Sequence, residues 1–524
     1  MIKTVSIVLI FTLLFGLLDQ SLINLYNVKS LVMLPSNKLN TQFTIVASIK
    51  ETNSKDDIVN RPIYDNKNNQ YFLKRNKNNI YLMKPVIGIK YSNEYNITSR
   101  PKKDRILMKF PIHFVFFNRI FFDINKLVEK KFLFKEKDNI MIHNKLFRTN
   151  GNVLNFDIGY TNKNILYSFY FHQHNDFKKK IASIHSGYFL VLEKIFDIYG
   201  SKQNHYITKW DDTEIKVFID KTVPKEFIKT FKDGIEEWNN AFEHTGNKVR
   251  IRGISYLDND WVNFIPGDAR YTTISLSPSI SGQTYAVGQF DYDLRNGRIF
   301  RGNIMVSNKW IDYWGSTFEY IDNIRKINLL KIGNCKSIKE SKKYKLDFIK
   351  KGIKSVVVHE VGHILGLRHN FKASSLIKYD EIFNKKRIIK DGLIPSIMDY
   401  FNYAINLEKV IRCISFNCLF SNIEIMTTIG GYDKEAILYG YGNKDISSYY
   451  LGSDEMVEKD SLSNTGDISD SPSLYYRDQM NISKYIIENL HLIKRKNGLN
   501  LEKNWKLEIE YLKNNFNMLK NSVE

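Results

Sequence analysis

Residues 359–370 read HEVGHILGLRHN and set His359, Glu360, His363, Gly366 and His369 at fixed offsets. On a helix, residues four apart share a face and lie about 6 Å apart along the axis, so His359 and His363 can aim both imidazoles at one point. Glu360 is rotated from His359 by about 100°, which puts its carboxylate beside that point rather than on it. Gly366 can adopt the left-handed backbone that ends a helix and returns the chain, bringing His369 to the same point from outside. An accidental H-E-x-x-H is expected in about one chain in a hundred of this length, and the further Gly and His lower that by roughly a thousandfold. Chance, and with it a helix whose histidines are merely solvated or hydrogen-bonded in the core, is a poor account.

Three neutral imidazoles leave one position of a tetrahedral zinc open, the pattern of a catalytic ion; a structural zinc wants four protein ligands, usually with thiolates. No cysteine lies near the motif. Zinc lowers the pKa of water toward about 7 and polarises a carbonyl, so Glu360 as general base could pass the water's proton to a leaving amine. That chemistry is peptide-bond hydrolysis. Ile349, Ile353, Val356 and Val357 before the motif, and Ile364 and Leu365 within it, follow the helical period better than strict alternation.

Downstream stands SIMDY, Ser396 to Tyr400. With this stretch the sequence resembles the metzincin metallopeptidases, in which H-E-x-x-H-x-x-G-x-x-H is followed by a methionine-containing turn. The resemblance implies that Met398 forms an apolar floor under the histidines. It implies for Tyr400 either metal ligation or a hydrogen bond to the tetrahedral intermediate, of which the second is expected here because a developing charge needs a nearby donor. Asp399 is expected to serve the turn or to support a ligand. More narrowly, VVHEVGHILGLRHNFKAS, TVPKEFIKTFKDGIEEWNNAFEHTG, GDARYTTI, DLRNGRI and GGYDKEAILYGY are similar to stretches of large bacterial zinc-dependent metalloproteases whose metzincin-type domain follows a β-rich region. The likeness runs roughly from Lys180 to Asp478 and includes Asn370. The chain departs from that pattern with Ser183 and His185 before Gly187, and with Leu294, Asn296 and Arg298 in the stretch that begins at Asp293.

The upstream sequence predicts an α+β fold. Glu214 to Asp220 alternates as a strand, Pro224 opens a helix, and Ile228, Phe231, Ile235, Trp238 and Phe242 mark its apolar face before Gly246 stops it. Lys248 to Ile254, Ala269 to Leu276 and Gly297 to Ser307 are further candidate strands. A metzincin likeness implies a twisted mixed sheet backed by a helix. It also implies that an edge strand, Gly297 to Ser307 or its neighbour, binds an extended peptide by strand addition.

At 524 residues with 43% hydrophobic content the chain is expected to hold two or three domains. The expected division is a signal peptide or anchor at 1–20, a β-rich accessory domain at 21–206, the metzincin-like domain at 207–445, and an acidic loop with a helical region at 446–524. The apolar run from Val5 to Leu18 has the size of a secretory core, which predicts export; Asp19 and Gln20 make a poor cleavage site, leaving an uncleaved anchor open. FTIVASI, NIYLMKPVIGIKYS, FPIHFVFF, VLNFDIGY and ILYSFYF predict the β-rich domain. That domain holds no cysteine, the first being Cys335, so it cannot cap zinc through a thiol. His172 and His174 are expected to be solvated near a turn, since no further ligands cluster there. Cys413 and Cys418 either form a bridge or stay free.

The acidic run holding Asp454, Glu455, Glu458, Asp460, Asp467 and Asp470 lacks EF-hand spacing, so a solvated loop is expected rather than a calcium site. The net charge of +21 is spread along the chain without a basic block, which predicts a basic surface, no nucleic-acid partner, and a field favouring anionic membranes or acidic substrates. Two functions remain to be weighed. One is an exported zinc endopeptidase acting on protein or peptide, with His359, His363 and His369 as ligands, Glu360 as base, and Met398 and Gly366 shaping the site. The other is a membrane-tethered binding or assembly factor that keeps the fold without catalysis; a retained base argues against it.

Overall fold

The computed structural model describes residues 30–52, 70–87, 89–91, 104–116, 118–123, 140–141, 145–160, 163–173, 176–197, 200–243, 245–246, 248–278, 284–334, 342–400, 403–442, 451–457 and 459–497. The apolar run Val5 to Leu18, His174, Cys335 and the chain beyond 497 lie outside the described residues. Among the described residues, no helix is long and apolar enough to cross a membrane. The fold is mixed α+β, with a β-rich N-terminal region and a helical C-terminal part.

The N-terminal strands belong to a ten-stranded sheet that closes on itself: Lys163–Phe171 pairs with Gln42–Thr52 on one side and Val153–Tyr160 on the other. Closure removes free edges, and alternate residues turn inward to fill the barrel. Phe43, Leu73, Ile80, Phe110, Phe122, Tyr167 and Phe169 form that separate core. The sequence-predicted runs fall on these strands, except that NIYLMKPVIGIKYS divides between Asn79–Lys84 in the barrel and Ile89–Tyr91. The latter joins a three-stranded sheet with Leu190–Asp197 and Gly200–Ile207.

A second core holds the remainder together, from the sheet to the C-terminal helix Pro472–Asn497. Its five-stranded sheet has the order Arg250–Ser255, Glu214–Ile219, Thr272–Ser277, Ile299–Ser307, Ala286–Tyr292. The first four run parallel and the last antiparallel. The expected edge strand Gly297 to Ser307 is therefore internal, and its neighbour Ala286–Tyr292 is the edge. Helix Lys225–Glu236 starts behind Pro224 as predicted but does not run unbroken to Phe242; a short helix Asn239–Phe242 follows. At the break, Trp238 is fully buried and its indole N–H donates to the Val358 carbonyl at 2.9 Å, which locks this backing helix to helix Lys342–Ile364.

The barrel and the ligand-bearing helix Lys342–Ile364 lie on opposite faces of the sheet. Along Ile299–Ser307 successive side chains alternate faces. A Cβ at Gly302 would meet Ile364 at 3.1 Å, whereas the fully buried Arg301 reaches Ser48 of the barrel at 3.2 Å and Asp291 at 3.3 Å. Ala269 N–H to Ser168 Oγ (3.3 Å) and the stacked rings of Tyr170 and Phe300 complete the same seam. His172 sits there too. It is buried, not solvated, with Nε2 2.8 Å from Thr44 Oγ1 and its ring 3.7 Å from Asp293. Docking of the barrel buries it, a long-range event that local sequence does not signal.

Candidate metal centre

His359 and His363 lie on helix Lys342–Ile364, and both are buried. The helix ends as expected: Gly366 has φ of 96°, and the N–H of Leu367 returns to the Gly362 carbonyl at 3.1 Å. The outgoing loop is pinned on both sides. Arg368 N–H donates to the Gly187 carbonyl, Phe189 N–H to the Gly366 carbonyl, and Asn370 N–H to the Met398 carbonyl, each at 2.9 Å. His369 thereby returns to the helix face, and the three histidines offer ligand atoms that all lie within 4.8 Å of one another.

Each imidazole presents Nε2 to that point because Nδ1 is occupied. His359 Nδ1 is 2.7 Å from the Ile397 carbonyl and His363 Nδ1 is 2.9 Å from the Leu367 carbonyl. A carbonyl only accepts, so both Nδ1 atoms donate and both Nε2 atoms carry lone pairs. His369 Nδ1 faces both oxygens of Asp454, at 3.0 and 3.1 Å. His363 Nε2 and His369 Nε2 stand 3.1 Å apart, and buried His359 Nε2 has no hydrogen-bond partner. Two facing lone pairs call for a cation between them, and nitrogen ligands about 2.0–2.1 Å from a tetrahedral zinc stand about 3.3 Å apart. The residues fit the ion. Burial lowers the pKa of all three, His363 to about 4, which keeps the imidazoles neutral and able to ligate.

Glu360 is buried, with Oε2 lacking a hydrogen-bond partner, and the Gly288 backbone N–H interacts with its carboxylate. Burial pushes its pKa up to about 8 in the metal-free chain; a cation at the imidazoles acts in the opposite direction. A cleft of about 540 Å³ opens beside it, with Tyr285, Trp310, Val356, His359, Glu360, Ile397 and Tyr400 among its walls. All of its lining residues fall between Thr284 and Gly466.

Met398 is buried beneath the ligand helix, where a Cβ at Gly362 would come within 2.3 Å of its sulfur. Its turn hangs on Asp433, which sequence reasoning did not single out. Asp433 accepts from Ser396 Oγ (2.6 Å), Ile397 N–H (2.7 Å) and Gly430 N–H (2.8 Å). It belongs to GGYDKEAILYGY, the only sequence signal for it. Asp399 is buried and accepts from Ser374 N–H at 3.2 Å; burial and then nearby Asp467 raise its pKa well above the ordinary value. Tyr400 lies with its ring centroid 4.6 Å from that of His369 and 5.5 Å from that of His359. Burial, then Glu360 and Asp454, push its pKa up to about 12, so the hydroxyl keeps its proton.

Residues 341–522 match a family model described as Met-zincin. This segment is of the metzincin type. The matched metzincin segment contains all three histidines, Glu360, Met398 and Asp433, and begins after the five-stranded sheet. No curated protein and no solved structure matches the chain.

The acidic run behaves differently from the expected solvated loop. Residues 451–457 and 459–470 form a strap around the third-ligand loop of the metzincin segment, Glu458 lying outside the described residues. Gly452 N–H donates to Asn370 Oδ1 (3.2 Å), Lys372 pairs with Asp460 (2.6 Å), and Arg368 pairs with Glu455. Gly466 N–H donates to the Tyr400 carbonyl at 2.8 Å. The remaining cysteine question is answered by a Cys413–Cys418 disulfide with Cα atoms 5.4 Å apart.

Proposed function

We propose that the protein is an exported zinc-dependent endopeptidase. The observation that carries this reading is the convergence of three Nε2 lone pairs beside a buried carboxyl, at the wall of an open cleft. Zinc held by His359, His363 and His369 would supply a polarised carbonyl and a water acidified toward a pKa of about 7. Glu360 takes the proton from the attacking water and delivers it to the leaving amine nitrogen. The Tyr400 hydroxyl, protonated at neutral pH, donates a hydrogen bond to the oxyanion as it develops.

The edge strand Ala286–Tyr292 borders the ligand helix, and on its other side no described strand pairs with it. An extended substrate adding there would bind through its own backbone, which favours unfolded segments over native helices. A carboxyl buried with so few partners costs stability, which a purely binding role does not explain. Export is supported by the apolar run at Val5 to Leu18 and by the disulfide, which suits an oxidising compartment.

The test is cleavage of a quenched peptide library by the zinc-loaded protein beside Glu360→Gln. Loss of turnover by about 10²-fold or more with zinc retained is expected of a general base. Equal turnover by both proteins, or none by a folded, zinc-loaded wild type, would reject the peptidase reading.

A further inference from the structure

The three imidazoles are not held alike. His359 and His363 are oriented by backbone carbonyls close to the ligand helix, whose positions follow from the helix end and the methionine turn. His369 has no such anchor at Nδ1. Its partner is the carboxylate of Asp454, on the short helix Asp454–Met456, 85 residues further along the chain. Both carboxylate oxygens sit at hydrogen-bond distance from Nδ1, so either can accept its proton. The strap carrying it is fixed independently by Gly452 on Asn370, Lys372 on Asp460 and Ser374 on Asp467.

We propose that Asp454 is the positioning residue of the third metal ligand, so that the strap carrying it is part of the metal centre. The inference rests on the three histidines holding zinc and not on peptide hydrolysis. A carboxylate behind a ligating imidazole fixes its tautomer and ring orientation and makes Nε2 a better donor, and its loss typically weakens metal affinity about 10–100-fold. Linkage runs both ways. If the docked strap favours zinc, zinc must favour the docked strap to the same extent.

The experiment uses the full chain and zinc alone as probe, with affinity read by competition against a chromogenic chelator. Asp454→Ala is expected to bind zinc about 10–100-fold more weakly. Asp454→Asn, whose amide oxygen can still accept from Nδ1–H, is expected to fall between it and wild type. Asp233→Asn disturbs an exposed pair with Lys229 outside the strap and is expected to bind as wild type does. The visible spectrum of the cobalt-loaded protein should change in Asp454→Ala and not in Asp233→Asn. In wild type, zinc should slow tryptic cleavage at the exposed Lys459, and this protection should shrink in Asp454→Ala. Wild-type zinc affinity and an unchanged cobalt spectrum in Asp454→Ala would overturn the assignment while leaving the metal centre intact. A wild type that binds no zinc would overturn both, and a weakened Asp454→Ala in a protein without peptidase activity would uphold the assignment alone.

Discussion

The backbone N–H of Gly288 meets the carboxylate of Glu360, and a Cβ at that glycine would lie 2.4 Å from the Glu360 carbonyl and 3.1 Å from Oε2. Edge strand and ligand helix touch here with no room for a side chain. Gly288→Ala should push the strand off the helix and misplace both substrate backbone and base. A loss of about 10²-fold in kcat/KM is expected, since displacements near 1 Å carry that cost. Zinc content should be unchanged; parallel assays of turnover and bound zinc check the pairing.

Tyr400→Phe keeps the ring against His369 and removes only the hydroxyl. If the hydroxyl serves the oxyanion, kcat should fall about 10²-fold or more with zinc affinity intact. Weaker zinc binding in this variant would instead make Tyr400 a ligand.

His172 carries a pH dependence. Burial lowers its pKa from 6.5 to about 4, so below 6.5 the unfolded chain binds a proton that the folded chain refuses. Stability is therefore fully present above about pH 6.5 and falls as pH drops toward 4, by on the order of 3 kcal/mol for this group. Asp293, with a lowered pKa, adds a further loss at still lower pH. Urea midpoints of wild type and His172→Gln should differ in slope between pH 6.5 and 4, with the variant flatter.

Asp322 is buried between Arg325 Nε at 2.6 Å and Lys326 Nζ at 3.2 Å, all three nearly inaccessible. Asp322→Ala would remove a buried carboxylate from beside two buried cations. A loss of about 3–5 kcal/mol is expected, read as a fall in the denaturant midpoint.

The ligand set was legible because its geometry is local: offsets of four and six residues around a helix end are written directly in the chain. The edge strand was not. Its residues 286–292 are all half-buried, so neither face alternates, and its decisive residue is a glycine. Asp454 was noted only as one acid among many, because composition marks charge but not a partner 85 residues away. The methionine turn was visible in SIMDY, whereas the carboxylate that holds it, Asp433, stands 37 residues from Ser396.

The seam between barrel and sheet is held mainly by polar groups: Arg301 with Ser48, Gln70 and His172 with Asp293, Ala269 with Ser168. Each side has its own apolar core, and among the described residues the small cluster of Val46, Ala269 and Phe300, with Tyr170 against it, bridges them. Such a junction is selective without being greasy. Two polypeptides divided between barrel and sheet should each stay in solution when produced separately. Mixed, they should reassemble through those hydrogen bonds, so that the sheet half recovers its native partner in trans.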